Sequence, residues 1–467
     1  MNRAAIAFAA LGLLAGCAAP RGPAAPAPLP VPQWHAPLPH DGTVAGMAAW
    51  WQQLGDPLLA ELVAAAQAAS PSVSAAQARI GDARAARTAA GAALLPTLDA
   101  SAAAARGNSQ PPAPLATTVR AGVQAAWEID LFGGNRQAAE AAQARLDGAH
   151  AGWHEARVAV AAETANAYLG LRSCERQALV AQRDAQSRQE TARLAALSAD
   201  AGFTAPADAA LARAGAADAA RRATQQRAQC ELDLKALVAL SAMAEPLLRE
   251  RLAVPWGEPA AAIPAVPAVP AALLTQRPDL YRAEREVAAA GADLGSAQAQ
   301  RLPRLTLAGS VAAGTARTGG VSTDLQTWSI GPLALSLPLF DGGRRAANVD
   351  AAQARYADAA SQYAARVRQA VREVEQALVQ LESARERQQD ARSAFDGYAA
   401  SLAATQARYS GGLASLPELE ESRRLALAAE TALVALQQER LAAWVALYRA
   451  VGGGWSAPPA TQAAAGS

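Results

Sequence analysis

Apolar residues occupy every second position at Val119, Ala121, Val123, Ala125, Trp127 and Ile129, with Arg120, Gln124 and Glu128 between them. That period of two is the mark of a strand with one oily and one wet face. Leu333, Leu335, Leu337 and Leu339 repeat the alternation further along. Partner strands are predicted to begin at Leu98 and Leu305, across loops holding Asn108-Ser109-Gln110-Pro111-Pro112 and Thr318-Gly319-Gly320. Four strands per chain result, each about as long as the 9 to 11 residues a tilted membrane strand needs. A small soluble sheet would show the same alternation, so both readings stand at this point. Beyond Gly134 and Gly343 the period turns helical and stays so for about 65 residues, to near Ala199 and Tyr409, on the order of 100 Å at 1.5 Å per residue. Val367, Val371, Val374, Leu378 and Leu381 step by four and three, the seam of a coiled coil. Gly202 and Gly411-Gly412 permit reversal, return helices are expected to near Ala242 and Val451, and Gly452-Gly453-Gly454 stops the last one. Shorter helices should open at Pro71 and Pro278, where a missing N–H costs nothing, and end before Pro96 and Pro303.

The chain repeats itself. Leu95-Pro96-Thr97-Leu98 corresponds to Leu302-Pro303-Arg304-Leu305, Leu131-Phe132-Gly133-Gly134 to Leu339-Phe340-Asp341-Gly342-Gly343, and Gly202-Phe203-Thr204 to Gly412-Leu413-Ala414. The offset drifts only between 207 and 210 residues. Turn residues in one order at one spacing predict two halves of shared architecture, residues 45–254 and 271–455. A proline-rich linker, 255–270, joins them, and a disordered tail, 456–467, is expected to follow.

Residues 1–16 carry a short basic start at Arg3 and an apolar run from Ala4 to Leu14, too short to cross a bilayer and typical of a signal peptide. Leu14-Ala15-Gly16-Cys17 resembles the bacterial lipobox, which implies a diacylated Cys17 at the mature N-terminus; an ordinary secretory signal is the alternative. Ala18 follows the cysteine in place of an aspartate retention signal, which points to the outer membrane. Lipid alone gives limited anchorage, so a second membrane element is expected. Residues 17–44 form the lipidated tether, in which eight prolines between Pro20 and Pro39 preclude a core.

Composition sharpens this picture. Alanine fills 133 of 467 positions and the aromatics number only 21, so long, thinly packed helices fit better than large globular cores. A net charge of +1, with Lys235 the only lysine, gives no basic face for nucleic acid. Outside the signal, apolar stretches are broken by Arg, Glu, Gln or Pro, so any membrane crossing must use strands. His150 and His154 lie four apart on a helix with Glu155 adjacent, but no third metal ligand is evident. No Ser/His/Asp order, Walker loop or dinucleotide fingerprint sits in a supporting context, so neither an enzyme nor a cofactor is expected.

With Cys17 taken by lipid, Cys174 lies 28 residues before Gly202 and Cys230 lies 28 after it. If Gly202 tips an antiparallel hairpin, the two thiols meet at equal height, and an oxidising compartment favours their disulfide, with two buried free thiols as the alternative.

Trp50-Trp51, Leu54-Gly55-Asp56-Pro57, Trp127-Glu128-Ile129-Asp130-Leu131-Phe132-Gly133, Arg277-Pro278-Asp279-Leu280, Pro338-Leu339-Phe340-Asp341-Gly342-Gly343-Arg344 and Leu447-Tyr448-Arg449-Ala450-Val451-Gly452-Gly453-Gly454-Trp455 together carry a family pattern. From about residue 45 to 455 the chain resembles the TolC-like outer-membrane factors, specifically the lipoprotein channels of the OprM and NodT type. The resemblance implies a mainly α fold with a transmembrane β-barrel. Each chain would give long helical hairpins and four strands to a homotrimer with a twelve-stranded barrel and a periplasmic α-barrel. It implies a conduit exporting small molecules handed over by a periplasmic adaptor and an inner-membrane pump of the RND type. It also implies adaptor contact at the tips, here Gly202, Phe203, Thr204, Gly411, Gly412 and Leu413. The family's second tip has Tyr-x-x-Gly followed by a gate leucine, aspartate and arginine. Tyr409 and Gly412 match, and Arg424 takes the arginine position. Glu421 replaces the aspartate and Pro417 the leucine. A solvated helix face is the plainer reading of Glu420, Glu421, Arg423 and Arg424. Two other functions remain open: a periplasmic adaptor or scaffold lipoprotein, and the outer channel of a type I secretion system.

Overall fold

The computed structural model describes residues 35, 51, 56–108, 115–254 and 277–455. The expected signal peptide, Cys17, most of the tether, the linker 255–270 and the tail 456–467 lie outside the described residues. Elements run α1 (Pro57–Ala69), α2 (Pro71–Ala92), β1 (Thr97–Gly107), β2 (Ala116–Ile129), α3 (Gly134–Asp200), α4 (Pro206–Ser241), α5 (Glu245–Leu252), α6 (Pro278–Ala299), β3 (Arg304–Thr318), β4 (Val321–Ser336), α7 (Arg344–Ser410) and α8 (Leu416–Ala450). The two longest helices, α3 and α7, have 67 residues each. The chain divides into two compact units.

The first unit takes Gln77–Gly152 and Leu280–Arg366. Its sheet is antiparallel in the order β1-β2-β3-β4. Register puts Val123 against Val311, Trp127 against Leu307 and Ile129 against Leu305, so the apolar positions of β2 and β3 share one face. Leu98 opposite Ala125, and Leu333 and Leu335 opposite Leu307 and Leu305, extend that face across β1 and β4. It is bare within one chain: Leu98, Val311, Trp328, Ile330 and Leu335 are 65–85% exposed, too much oily surface in one band to be scattered surface residues. The opposite face carries Asp99, Arg120, Gln124 and Ser310 among small residues. Two glycines there let β2 and β3 close up. A Cβ on Gly122 would sit 2.7 Å from Ala312 Cβ, and one on Gly314 would overlap the Val119 carbonyl oxygen and lie 2.9 Å from Arg120 Cα. The β3–β4 turn needs Gly319 and Gly320 at φ 59° and 91°, the left-handed pair of a tight hairpin. The alternation expected through Leu339 stops sooner, because the ladder ends at Ser336 and Pro338 has no N–H to continue it. Beside the sheet, α3 and α6 approach through Ala141, Ala144 and Ala289, and Arg145 pairs with Asp293 at 2.5 Å.

The second unit includes Trp153–Asp279 and Val367–Ser467 as far as they are described, together with residues 56–76. Leu59, Leu62, Tyr168, Leu171, Leu237, Leu248, Val374, Leu378, Trp444 and Leu447 form its core. Of the seam residues, Val367, Val374, Leu378 and Leu381 are buried and Val371 packs half-buried against the core. Asp56 caps α1 by accepting from Leu58 N at 3.0 Å and also accepts from the Tyr168 hydroxyl, whose pKa burial and that bond push up. Buried Arg172 donates to Tyr168 Oη at 3.1 Å and to Leu252 O at 2.8 Å, tying α5 to α3. Cys174 and Cys230 are disulfide-bonded with Cα atoms 5.5 Å apart, joining α3 to α4.

Candidate functional site: the helical-hairpin tips

Both reversals are built the same way. At the end of α3, Phe203 N donates to Ser198 O at 2.9 Å and Gly202 N to Ala199 O at 3.0 Å, with Gly202 at φ 77°. At the end of α7, Leu413 N donates to Arg408 O at 2.8 Å and Gly412 N to Tyr409 O at 3.0 Å, with Gly412 at φ 72°. These paired bonds satisfy carbonyls that a helix end leaves open, and they demand a left-handed residue that glycine alone adopts without strain. Gly411 keeps an ordinary backbone, so Gly412 is the residue that turns the chain. Phe203 and Leu413 hold equivalent places after the turn and are 87% and 75% exposed, apolar side chains standing in solvent. The hydroxyls of Thr204 and Ser198 bond each other.

The second tip enters α8 through a reciprocal cap: Glu418 N donates to Ser415 Oγ at 3.4 Å and Ser415 N to the Glu418 carboxylate at 2.7 Å. The bond from Ser415 N holds the Glu418 carboxyl below the usual range. Pro417 sits exposed in the first turn, where its missing N–H is harmless. The apolar anchor is its neighbour Leu416, buried with Ala192, Ala195 and Ala212 and flanked by Tyr409.

Two kinds of charged pair follow. Glu421 and Arg424 form an exposed two-pronged pair, Nε to Oε2 at 2.9 Å and Nη2 to Oε1 at 2.5 Å. The Arg424 hydrogen bond draws the Glu421 carboxyl below the ordinary glutamate range. One residue earlier on each side, Glu420 and Arg423 turn inward. Arg423 is buried and donates to Thr191 Oγ1 at 2.7 Å and to Glu420 at 3.0 Å. Glu420 also pairs with Arg188, which holds Asp184 at 2.9 Å, and Arg222 reaches Asp184 at 3.6 Å. Six residues from α3, α4 and α8 thus make one network, shielded at Asp184, Arg188, Thr191 and Arg423 and open to solvent at Arg222. The alternative of one solvated helix face for Glu420, Glu421, Arg423 and Arg424 fits Glu421 and Arg424 but not Glu420 and Arg423. The signal that separates them is position: Leu416, Leu419 and Arg423 fall on one buried stripe of α8.

A family model described as outer membrane efflux protein matches residues 62–242 and 269–453. The chain belongs to the outer membrane efflux protein family. Nodulation protein T of Rhizobium leguminosarum bv. viciae is 29% identical over 417 residues, covering 89% of this chain and 86% of the relative. The pyoverdine export outer membrane protein OpmQ of Pseudomonas aeruginosa is 28% identical, covering 87% of each. Among solved structures, the outer-membrane channel OprN superposes with a TM-score of 0.82 at 29% identity, over 93% of this chain and 99% of its own. The Campylobacter jejuni CmeC channel shares the fold, with a TM-score of 0.81 at 22% identity and coverage of 93% and 96%.

As an outer membrane efflux channel the protein needs a membrane wall. No described helix is long and apolar enough to cross a membrane. The four strands, with their bare apolar face, are the elements that cross. Conduction also needs no reaction centre, and among the described residues no group of three or more His, Cys, Asp or Glu could hold a metal ion.

Proposed function

We propose that three copies of this chain close a twelve-stranded barrel in the outer membrane. The assembly would work as the exit duct of a tripartite efflux system, receiving small molecules from a periplasmic adaptor and an RND-type inner-membrane pump. The observation that carries this reading is the sheet itself. Four strands leave β1 and β4 as edges, their outward face is apolar, and unpaired strand edges are not tolerated in lipid. Twelve strands lie within the range of known membrane barrels, and a chain supplying four must recruit two more copies. Cys17, acylated, anchors each copy. Phe203 and Leu413, raised on rigid glycine turns, supply the apolar contact that an adaptor would cover. Glu421, Arg424 and Pro417 ring the closed end, where adaptor binding shifts the balance towards the open state.

Phe203→Asp with Leu413→Asp tests the adaptor contact in cells that also carry the pump. Accumulation of a fluorescent pump substrate should rise to the level of a strain lacking this protein, with the amount of trimer unchanged. Full export by the double variant would reject the tips as the docking point.

A further inference from the structure

On the wet face of the sheet, Arg120 stands opposite Ala103 on β1 and Gly314 on β3. Ser101, Gly122 and Ala312 surround these on the same face. The face is built small because β2 and β3 close against each other there, with no room for a Cβ at Gly122 or Gly314. A long cationic side chain in that clearing stands out. Arg120 is exposed, and the other charged side chains on this face, Asp99, Glu128 and Arg304, are set towards the helical end of the strands. Asp99 pairs in register with Gln124, four residues along β2 and roughly 13 Å away at the strand rise. From Gln124 to the hairpin ends, Arg120 is the one charged side chain on the wet face among the described residues. Arg106 and Arg317 at that end belong to the apolar face, Arg106 opposite Thr117 and Arg317 opposite Thr117 and Ser322.

We propose that Arg120 makes the lumen of the strand barrel prefer anions, so that small anionic molecules are the cargo class this duct favours. The proposal rests on the three-copy channel proposed above. The wet face of a closed barrel looks into the water, and threefold assembly sets three guanidinium groups at one height. Twelve strands at about 4.8 Å spacing put the wall on the order of 12 Å from the axis, and an arginine reaches inward from it. Each charge then lies within a Debye length of the axis, about 10 Å at 0.1 M salt. Three such charges at roughly 8 Å, screened, enrich a monovalent anion about threefold and deplete a cation to a similar degree. Arginine stays protonated at any physiological pH, so the preference does not titrate away.

The experiment is the zero-current potential of the full-length lipoprotein in planar bilayers under a tenfold KCl gradient, with salt at or below about 0.1 M. Wild type, Arg120→Lys, Arg120→Gln and Arg120→Glu are compared in one gate background, so charges at the closed end cancel. The chloride-to-potassium permeability ratio should be matched by Arg120→Lys, fall at least about threefold in Arg120→Gln, and fall further in Arg120→Glu. In wild type and in Arg120→Lys the ratio should relax towards that of free solution as salt approaches about 1 M, where the Debye length is near 3 Å. Conducting channels whose ratio ignores both residue 120 and ionic strength overturn the proposal while leaving the channel intact. Failure of wild type to conduct at all counts against the three-copy duct instead.

Discussion

Glu420→Gln is the substitution that loads the tip network most heavily. The carboxylate is shared by Arg188 and Arg423, whose side chains are only 11% and 5% exposed. Removing one partner of a well-buried pair costs about 3–5 kcal/mol, because the charge left behind is neither solvated nor matched. Here the loss is smaller: Arg188 keeps Asp184 at 2.9 Å, Arg423 keeps Thr191 at 2.7 Å, and Glu420 itself is 20% exposed. A cost of about 2 kcal/mol follows, a shift of roughly 30-fold in the ratio of closed to loosened tips. Single-channel recording of purified trimers reads this directly as more frequent open events. Glu421→Ala and Arg424→Ala, at the exposed pair, should also raise conductance, but by less, since their loss strands no buried charge. Asp184→Asn should act in the same direction as Glu420→Gln, and the double variant should cost more than the sum, because each single change leaves Arg188 one carboxylate and the double leaves it neither. An unchanged open probability in Glu420→Gln, with trimers intact, would refute the network as a closing element. Unchanged conductance in both Glu421→Ala and Arg424→Ala would reject their place in the gate.

Three further outcomes are expected. Replacing Cys174 and Cys230 with serine opens a loop of 56 residues, and the chain-entropy relation gives about 4 kcal/mol of lost stability, read as earlier unfolding in guanidinium or faster trypsin cleavage of α3 and α4; identical profiles with and without the bond would contradict it. Gly314→Val drives side-chain carbons into the β2 backbone at Val119, so the heat-resistant trimer band on unboiled gels should disappear while the chain is still made; a normal band would show that the strands do not approach so closely in the membrane. The Glu421 carboxyl, held below the ordinary range by Arg424, keeps its charge there, so the pair's contribution is fully present above the unfolded glutamate pKa and is lost only as pH falls through the depressed folded value. Open probability in wild type should therefore stay flat on acidification until below the ordinary glutamate range and then rise, and the rise should be absent in Glu421→Gln.

The strands and long helices were legible because their signals are long and physically simple. Period two from Val119 to Ile129 and the prolines at 96 and 303 set strand starts within a residue of Thr97 and Arg304. The glycines at 202 and 412 set both reversals. Shorter features gave weaker signals. Pro71 marks the start of α2 as expected, but α5 is an eight-residue helix after a left-handed Ala242 that no residue type announces. At the candidate gate, Glu420-Glu421-Ser422-Arg423-Arg424 offers two equivalent i,i+3 ion pairs. Only the packing of α3 and α4 against one side of α8 decides which pair is shielded. Likewise, nothing in the spacing of the motif tells that Pro417 stays exposed while Leu416, one position earlier, is buried with Ala192, Ala195 and Ala212.

Closure of the strand sheet by threefold assembly is most directly tested by the mass and conductance of one preparation. The mature lipoprotein, purified from outer membranes in mild detergent, should show a protein mass of three chains by light scattering. The same fractions should insert into planar bilayers as discrete, water-filled conductance steps. A single-chain mass in fractions that insert without conducting would contradict the account.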